Sequence, residues 1–188
     1  MGRLTLITGG ARSGKSTYAE QLLDSRYSSV AYIATARILD DEMGDRVARH
    51  KRQRPADWQT FEEPLQPSRI VSREGNQFDA ILLDCLTVLT TNIILQDAAV
   101  GWDKPDIALL NLLEQEVMRE IDNLIKAVSV FSGHLVAVTN EVGLGIVPAD
   151  PLSRFFRDCS GRVNQSMAAA AEAVLFVVAG IPMQVKGP

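Results

Sequence analysis

Short apolar runs recur along the chain, each bounded by glycine, proline or charged residues, and most are too short for a helix. Arg3 to Thr8, Ser29 to Ala36, Phe78 to Asp84, His134 to Thr139 and Val174 to Val178 have the length and aliphatic content of buried strands. Trp58 to Glu62 is a weaker strand of the same kind. Between these runs the period lengthens to that of helices. Thr17 to Leu23, part of Pro64 to Glu74, Cys85 to Gln96 and Leu152 to Glu172 read this way. Gly75-Asn76 reads as a turn and Ala98 to Pro105 as a loop. Asp40 or Asp41 can cap a helix that runs to Arg54 and stops at Pro55. Asp106 opens a long amphipathic helix with Ile107, Leu110, Leu113, Val117, Ile121, Leu124 and Val128 down one side. That stripe suits a core or a subunit interface.

Strands alternating with helices predict an α/β fold with a mostly parallel sheet and helices on both faces. Ala179-Gly180-Ile181-Pro182 can turn the chain back, which predicts an antiparallel C-terminal edge strand. No repeat, linker or composition break interrupts the 188 residues, so one domain over 1–188 is expected.

Composition narrows the function. With 46% apolar and 22% charged residues, a sizeable core forms and global disorder is not indicated. A net charge of −4 disfavours a general nucleic-acid binder, which needs a basic excess. No apolar run approaches the ~20 residues that span a bilayer, and no signal peptide is expected ahead of the first strand. Position 6 is Leu, so Gly2 does not open a myristoylation site. Cys85 and Cys159 show neither metal nor disulfide spacing; reduced, buried thiols in a cytoplasmic protein are expected.

Chemistry concentrates at the first strand–helix junction. Gly9, Gly14, Lys15 and Ser16 fit G-x-x-x-x-G-K-[ST], the phosphate-binding loop, in Gly9-Gly10-Ala11-Arg12-Ser13-Gly14-Lys15-Ser16. Glycines let the backbone turn tightly and approach phosphate oxygens. Loop amides and the helix N-terminus direct partial positive charge at the anion. Lys15 adds a full charge near the outer phosphates, and the Ser16 hydroxyl can bind Mg2+. Asp84, an acid at the end of an apolar strand, is the expected second Mg2+ residue, held directly or through water.

His50 lies in Arg49-His50-Lys51-Arg52-Gln53-Arg54 and shares a helical face with Met43 and Val47. It is either an incidental histidine on a solvated face or an inward-pointing nucleophile. Cationic neighbours favour the neutral imidazole, which is nucleophilic, and can hold a triphosphate and stabilise departing pyrophosphate. His134 fits a loop or strand-start residue. The loop from Glu141 to Pro148 follows a strand, where open α/β sheets bind ligands; it either borders substrate or simply turns the chain. Trp58 and Trp102 are core or partner-facing aromatics. Thr139-Asn140-Glu141-Val142 lacks the lysine and aspartate of a guanine-reading motif, which disfavours a GTPase switch.

Taken together, several segments resemble the bifunctional adenosylcobinamide kinase/adenosylcobinamide-phosphate guanylyltransferase family of cobalamin biosynthesis. They are Thr8 through Ser16, Tyr32-Ile33-Ala34-Thr35, Leu39-Asp40-Asp41-Glu42-Met43, His50-Lys51 with Arg54-Pro55, Thr139-Asn140-Glu141-Val142-Gly143, and Gly161-Arg162-Val163-Asn164-Gln165. The resemblance implies a three-layer, RecA-like P-loop NTPase fold assembled as a homotrimer. It implies phosphorylation of the aminopropanol hydroxyl of adenosylcobinamide with ATP or GTP, then transfer of GMP from GTP to that phosphate, with release of pyrophosphate. It places the guanylylated histidine at His50. It places nucleotide contacts at Gly9 through Ser16, at Ala34, Thr35 and Ala36, at Lys51, Arg52, Gln53 and Arg54, and at Glu62 and Asp84. Its Mg2+ would sit at Ser16 and Asp84. A small-molecule kinase with an idle His50, and a non-catalytic nucleotide-dependent switch, are the competing expectations.

Overall fold

Alternation along the strands sends side chains into two separate cores, one on each face of a single sheet. In the computed structural model, which describes residues 2–37, 55–96 and 100–187, the first strand is β1 (Arg3–Gly9) and the first helix α1 (Lys15–Asp24). β2 (Val30–Ala34) and β3 (Gln59–Glu62) follow, then α2 (Pro67–Glu74), a 3-10 turn (Gly75–Gln77), β4 (Ala80–Asp84) and α3 (Leu86–Ile94). The long α4 (Ile107–Val130) leads to β5 (His134–Val138), α5 (Pro151–Ala170), β6 (Ala173–Val178) and β7 (Ile181–Lys186). The seven strands stand in the order β3-β2-β4-β5-β1-β6-β7. All neighbours are parallel except β6 and β7, so the edge strand expected from the Gly180 turn is present and antiparallel.

Leu4, Leu6, Ala31, Ile33, Ile81, Leu83, Leu135 and Ala137 join one core with apolar residues of α2, α3, α4 and α5. Their neighbours Ile7, Val30, Tyr32, Ala80, Leu82, Val136 and Val138 join the other, with Ala19 and Leu23 of α1 and Trp58. Period-2 alternation is therefore obeyed even though both faces are apolar.

Helix α4 departs from its predicted stripe at the start. Leu113, Val117, Ile121, Leu124 and Val128 are buried, but Ile107 is 74% exposed. The reason is length. Its 24 residues reach about 36 Å, whereas a five-residue strand spans about 17 Å, so the first turns overhang the sheet. Asp106 caps this overhanging end by accepting from the Ala108 amide at 2.9 Å.

His134 opens β5 and is buried, as a strand-start residue. Its Nε2 lies 2.8 Å from Thr5 Oγ1, and its Nδ1 lies 3.0 Å from the Tyr27 hydroxyl. Arg3 in turn donates to that hydroxyl at 2.7 Å. Burial, then the charges of Arg3 and Arg26, push the imidazole down from 6.5 to about 4. Between those values the unfolded chain binds a proton that the folded chain refuses, so stability falls as pH drops through the window. Denaturant unfolding is expected to lose on the order of 2 kcal/mol from this residue between pH 7 and 4. In His134→Gln that part of the pH slope is expected to vanish. Equal slopes in the two proteins would contradict a neutral buried imidazole.

Candidate active site at the C-terminal edge of the sheet

The strand register gathers the expected site along one edge. Glu62 ends β3 and aligns with Ala34, the last residue of β2. Ala34 aligns with Asp84, Asp84 with Val138, and Val138 with Ile7, two residues before Gly9. Thus the phosphate loop and the acid-bearing strand β4 are separated by one strand, β5.

The loop is shaped by contacts as well as by composition. Gly9 pairs with Val177 of β6. A Cβ there would stand 2.5 Å from the Val177 carbonyl and 2.7 Å from Ser13 Oγ. Arg12 and Gly14 take positive φ, 57° and 93°. At that angle glycine is the residue of least strain, and a Cβ on Gly14 would also come within 3.1 Å of Gly180 Cα. The β6–β7 turn braces the loop, since the Gly180 amide donates to Ser13 O at 2.8 Å. Lys15 is buried with its ammonium donating to Gly10 O at 2.9 Å. Ser16 sits one position further along α1 and is partly exposed. No side chain caps α1 at Gly14, so its first amides keep their hydrogen-bonding capacity for an anion. Ser13 Oγ and Thr8 Oγ1 are buried at the same junction without a hydrogen-bond partner among the described residues.

Asp84 is held through one oxygen. The buried Tyr32 hydroxyl donates to Oδ2 at 3.0 Å. Among the described residues no cluster of three His, Cys, Asp or Glu side chains could hold a metal. One carboxylate and one hydroxyl nevertheless suit Mg2+, which keeps waters and takes phosphate oxygens for its other positions. Next to Asp84, burial and the carboxylate push the Cys85 thiol up to about 11, which favours its protonated form.

Thr35 is wholly buried, and its hydroxyl is committed. It donates to Cys85 O at 2.9 Å and accepts from the Cys85 amide at 2.8 Å, pinning the end of β2 to the end of β4. Ala34 and Ala36, on either side, are partly exposed. Glu62 is exposed on the outer strand, four strands from β1. His50, Lys51, Arg52, Gln53 and Arg54, with the helix expected to carry them, lie outside the described residues.

Two groups of residues support the site; Asn92 and Thr87 carry no signal in the sequence, whereas Thr139 and Asn164 lie in segments that carry the family resemblance. Asn92 on α3 donates to Thr35 O at 2.8 Å and to Pro64 O at 3.0 Å, tying the β2 and β3 ends together. Thr139, Thr87 and Asn164 form a second brace. Thr139 donates to Asn164 Oδ1 at 2.7 Å, Thr87 Oγ1 accepts from the Asn140 amide at 2.7 Å, and Asn164 Nδ2 donates to Asn140 O at 3.1 Å. The brace fixes the start of the glycine-containing loop after β5, beside the phosphate loop.

The Cobinamide kinase / cobinamide phosphate guanyltransferase family model matches residues 5–185. The chain is 45% identical over 184 residues to the bifunctional adenosylcobalamin biosynthesis protein CobU of Escherichia coli strain K12, covering 97% of this chain and 99% of that one. It is 42% identical over 182 residues to the bifunctional adenosylcobalamin biosynthesis protein CobP of Pseudomonas aeruginosa strain PAO1, covering 97% and 96%. Among solved structures, the P4 protein from bacteriophage phi6 in complex with ADP aligns with TM-score 0.47 and 14% identity, covering 96% of this chain and 52% of that one. Matched along nearly its whole length, the chain belongs to the cobinamide kinase/cobinamide phosphate guanyltransferase family.

Proposed function

We propose that this single-domain chain phosphorylates the aminopropanol hydroxyl of adenosylcobinamide with ATP or GTP. It then transfers GMP from GTP to the resulting phosphate through a guanylyl-histidine at His50, giving adenosylcobinamide-GDP and pyrophosphate. The observation that carries the reading is the phosphate loop with an uncapped α1 and a buried Lys15, on the same sheet edge as Asp84, in a chain matched by the family model over residues 5–185.

Gly9 through Ser16 hold the triphosphate by backbone amides and by the Lys15 ammonium. Ala34, Ala36, Lys51, Arg52, Gln53, Arg54 and Glu62 supply further nucleotide contacts, with Thr35 keeping the β2 end in place. Ser16 and Asp84 would hold Mg2+, which neutralises charge on the phosphate oxygens when bound. Tyr32 orients the Asp84 carboxylate for that task. In the first reaction the corrinoid hydroxyl attacks the γ-phosphorus. In the second, neutral His50 attacks the α-phosphorus of GTP, pyrophosphate leaves, and the corrinoid phosphate displaces the histidine. The cations beside His50 offset the charge of the departing pyrophosphate. Among the described residues no helix is long and apolar enough to cross a membrane; that fits a cytoplasmic enzyme. A homotrimer is the proposed assembly, and exposed Ile181, Met183 and Val185 on β7 offer apolar surface for a subunit contact.

Incubation with α- or γ-labelled GTP, followed by denaturation, separates the readings. Retained α-label that survives base but not acid, and is absent in His50→Ala, is expected. A folded, GTP-binding protein that retains no α-label refutes the guanylyl-histidine.

A further inference from the structure

Phosphorylation of a hydroxyl needs a group to accept its proton. Among the described residues four carboxylates, Glu62, its neighbour Glu63, Asp84 and Glu141, lie at the C-terminal ends of the first five strands, with Glu63 as remote from β1 as Glu62. Glu62 is four strands from β1, about 19 Å at the usual strand spacing, and is too far. Asp84 is two strands away, about 10 Å, in register with Val138 and through it with Ile7. Glu141 is nearest. Its amide donates to the carbonyl of Gly9, the residue that opens the phosphate loop, at 3.0 Å.

Glu141 and Asp84 share a design. Each is held through one carboxylate oxygen, Asp84 by the Tyr32 hydroxyl at 3.0 Å and Glu141 by the Gly143 amide at 2.8 Å. The second oxygen of each has no hydrogen-bond partner among the described residues, and both side chains are partly exposed. The backbone under Glu141 is rigid. Thr139 donates its amide to Ile7 O at 3.0 Å, and Asn140 is gripped by Thr87 and Asn164. A carboxylate on so fixed a segment, one strand from the phosphate loop, is suited to directed proton transfer rather than to solvation.

We propose that Glu141 is the general base of the phosphoryl transfer, an inference that rests on the kinase reading above. The hydroxyl oxygen forms a bond to the γ-phosphorus and the bond from that phosphorus to the β-phosphate oxygen breaks. The nucleoside diphosphate leaves with that electron pair. The hydroxyl proton passes to the open carboxylate oxygen of Glu141 and then to solvent.

Glu141→Gln tests this with little disturbance, because glutamine keeps an oxygen to accept from the Gly143 amide. With adenosylcobinamide and γ-labelled nucleotide, kcat for label transfer to the corrinoid is expected to fall roughly 100-fold or more. Nucleotide Kd, from titration with a fluorescent analogue, is expected to stay within about twofold, and Glu141→Asp to fall between. A glutamine variant with wild-type kcat overturns the inference alone. So does a fall in kcat matched by an equal loss of nucleotide affinity, which would make Glu141 a loop brace. Wild-type protein that moves no γ-label to the corrinoid overturns the inference together with the kinase reading.

Discussion

Lys15→Met is expected to remove both transfers, each by roughly 10²–10³-fold. The two reactions attack different phosphorus atoms, so a residue serving only one would split them. On the function proposed, one triphosphate in one loop makes Lys15 common to both. Its ammonium is fixed rather than mobile: the side chain is only 8% exposed and donates to Gly10 O at 2.9 Å. A charge so placed acts in low dielectric and costs little reorganisation when the phosphates arrive. Methionine fills the same space without the charge, so the fold is kept. His50→Ala is the complement: it should abolish the α-label adduct and GMP transfer while leaving γ-transfer within a few fold. Measuring both activities in both variants decides whether one triphosphate site is shared. A Lys15→Met protein that lost one transfer and kept the other would point to two separate sites.

Much of this was legible because the strands are short, apolar and separated by strong breaks. The phosphate loop announces itself through four fixed positions, and Asp84 through the apolar run before it. The sheet order was less accessible, since nothing local says that β5 inserts between β1 and β4; that follows from which strands can be covered on both faces. The side chains that stiffen the site were hidden for a different reason. Asn92 and Thr87 act through bonds to residues 28 to 57 positions away, and a single polar residue on a helix looks the same whether it faces water or a backbone carbonyl. Tyr32 is part of a recognisable segment, but its grip on Asp84 depends on the β2–β4 register. The stripe of α4 misled at Ile107 because periodicity records which side is apolar, and not where the sheet beneath it ends.

The two neighbouring glycines of the loop should respond differently to alanine. At Gly10 a Cβ would meet nothing within 4 Å, so Gly10→Ala is expected to leave the melting temperature nearly unchanged. Any effect it has should fall on nucleotide affinity. At Gly9 the methyl group would press on the Val177 carbonyl at 2.5 Å and on Ser13 Oγ at 2.7 Å. The first is backbone of a paired strand, and the second belongs to a loop already pinned by the Gly180 amide. The carbonyl cannot swing away as a flexible side-chain end would, whereas the Ser13 hydroxyl, without a hydrogen-bond partner among the described residues, can change rotamer. Relief requires opening the β1–β6 ladder or lifting the loop off β6, and either moves the amides that receive phosphate. Overpacking of this kind costs about 1–3 kcal/mol. For a chain of this size each kcal/mol is worth about 2–4 °C, so Gly9→Ala should melt about 2–12 °C lower. Nucleotide affinity should fall at least roughly tenfold with it, since 1.4 kcal/mol of misplaced loop is enough. Equal melting temperatures for the two variants would mean that β6 yields where the ladder says it cannot, and that the loop is not braced through Val177 and Gly180.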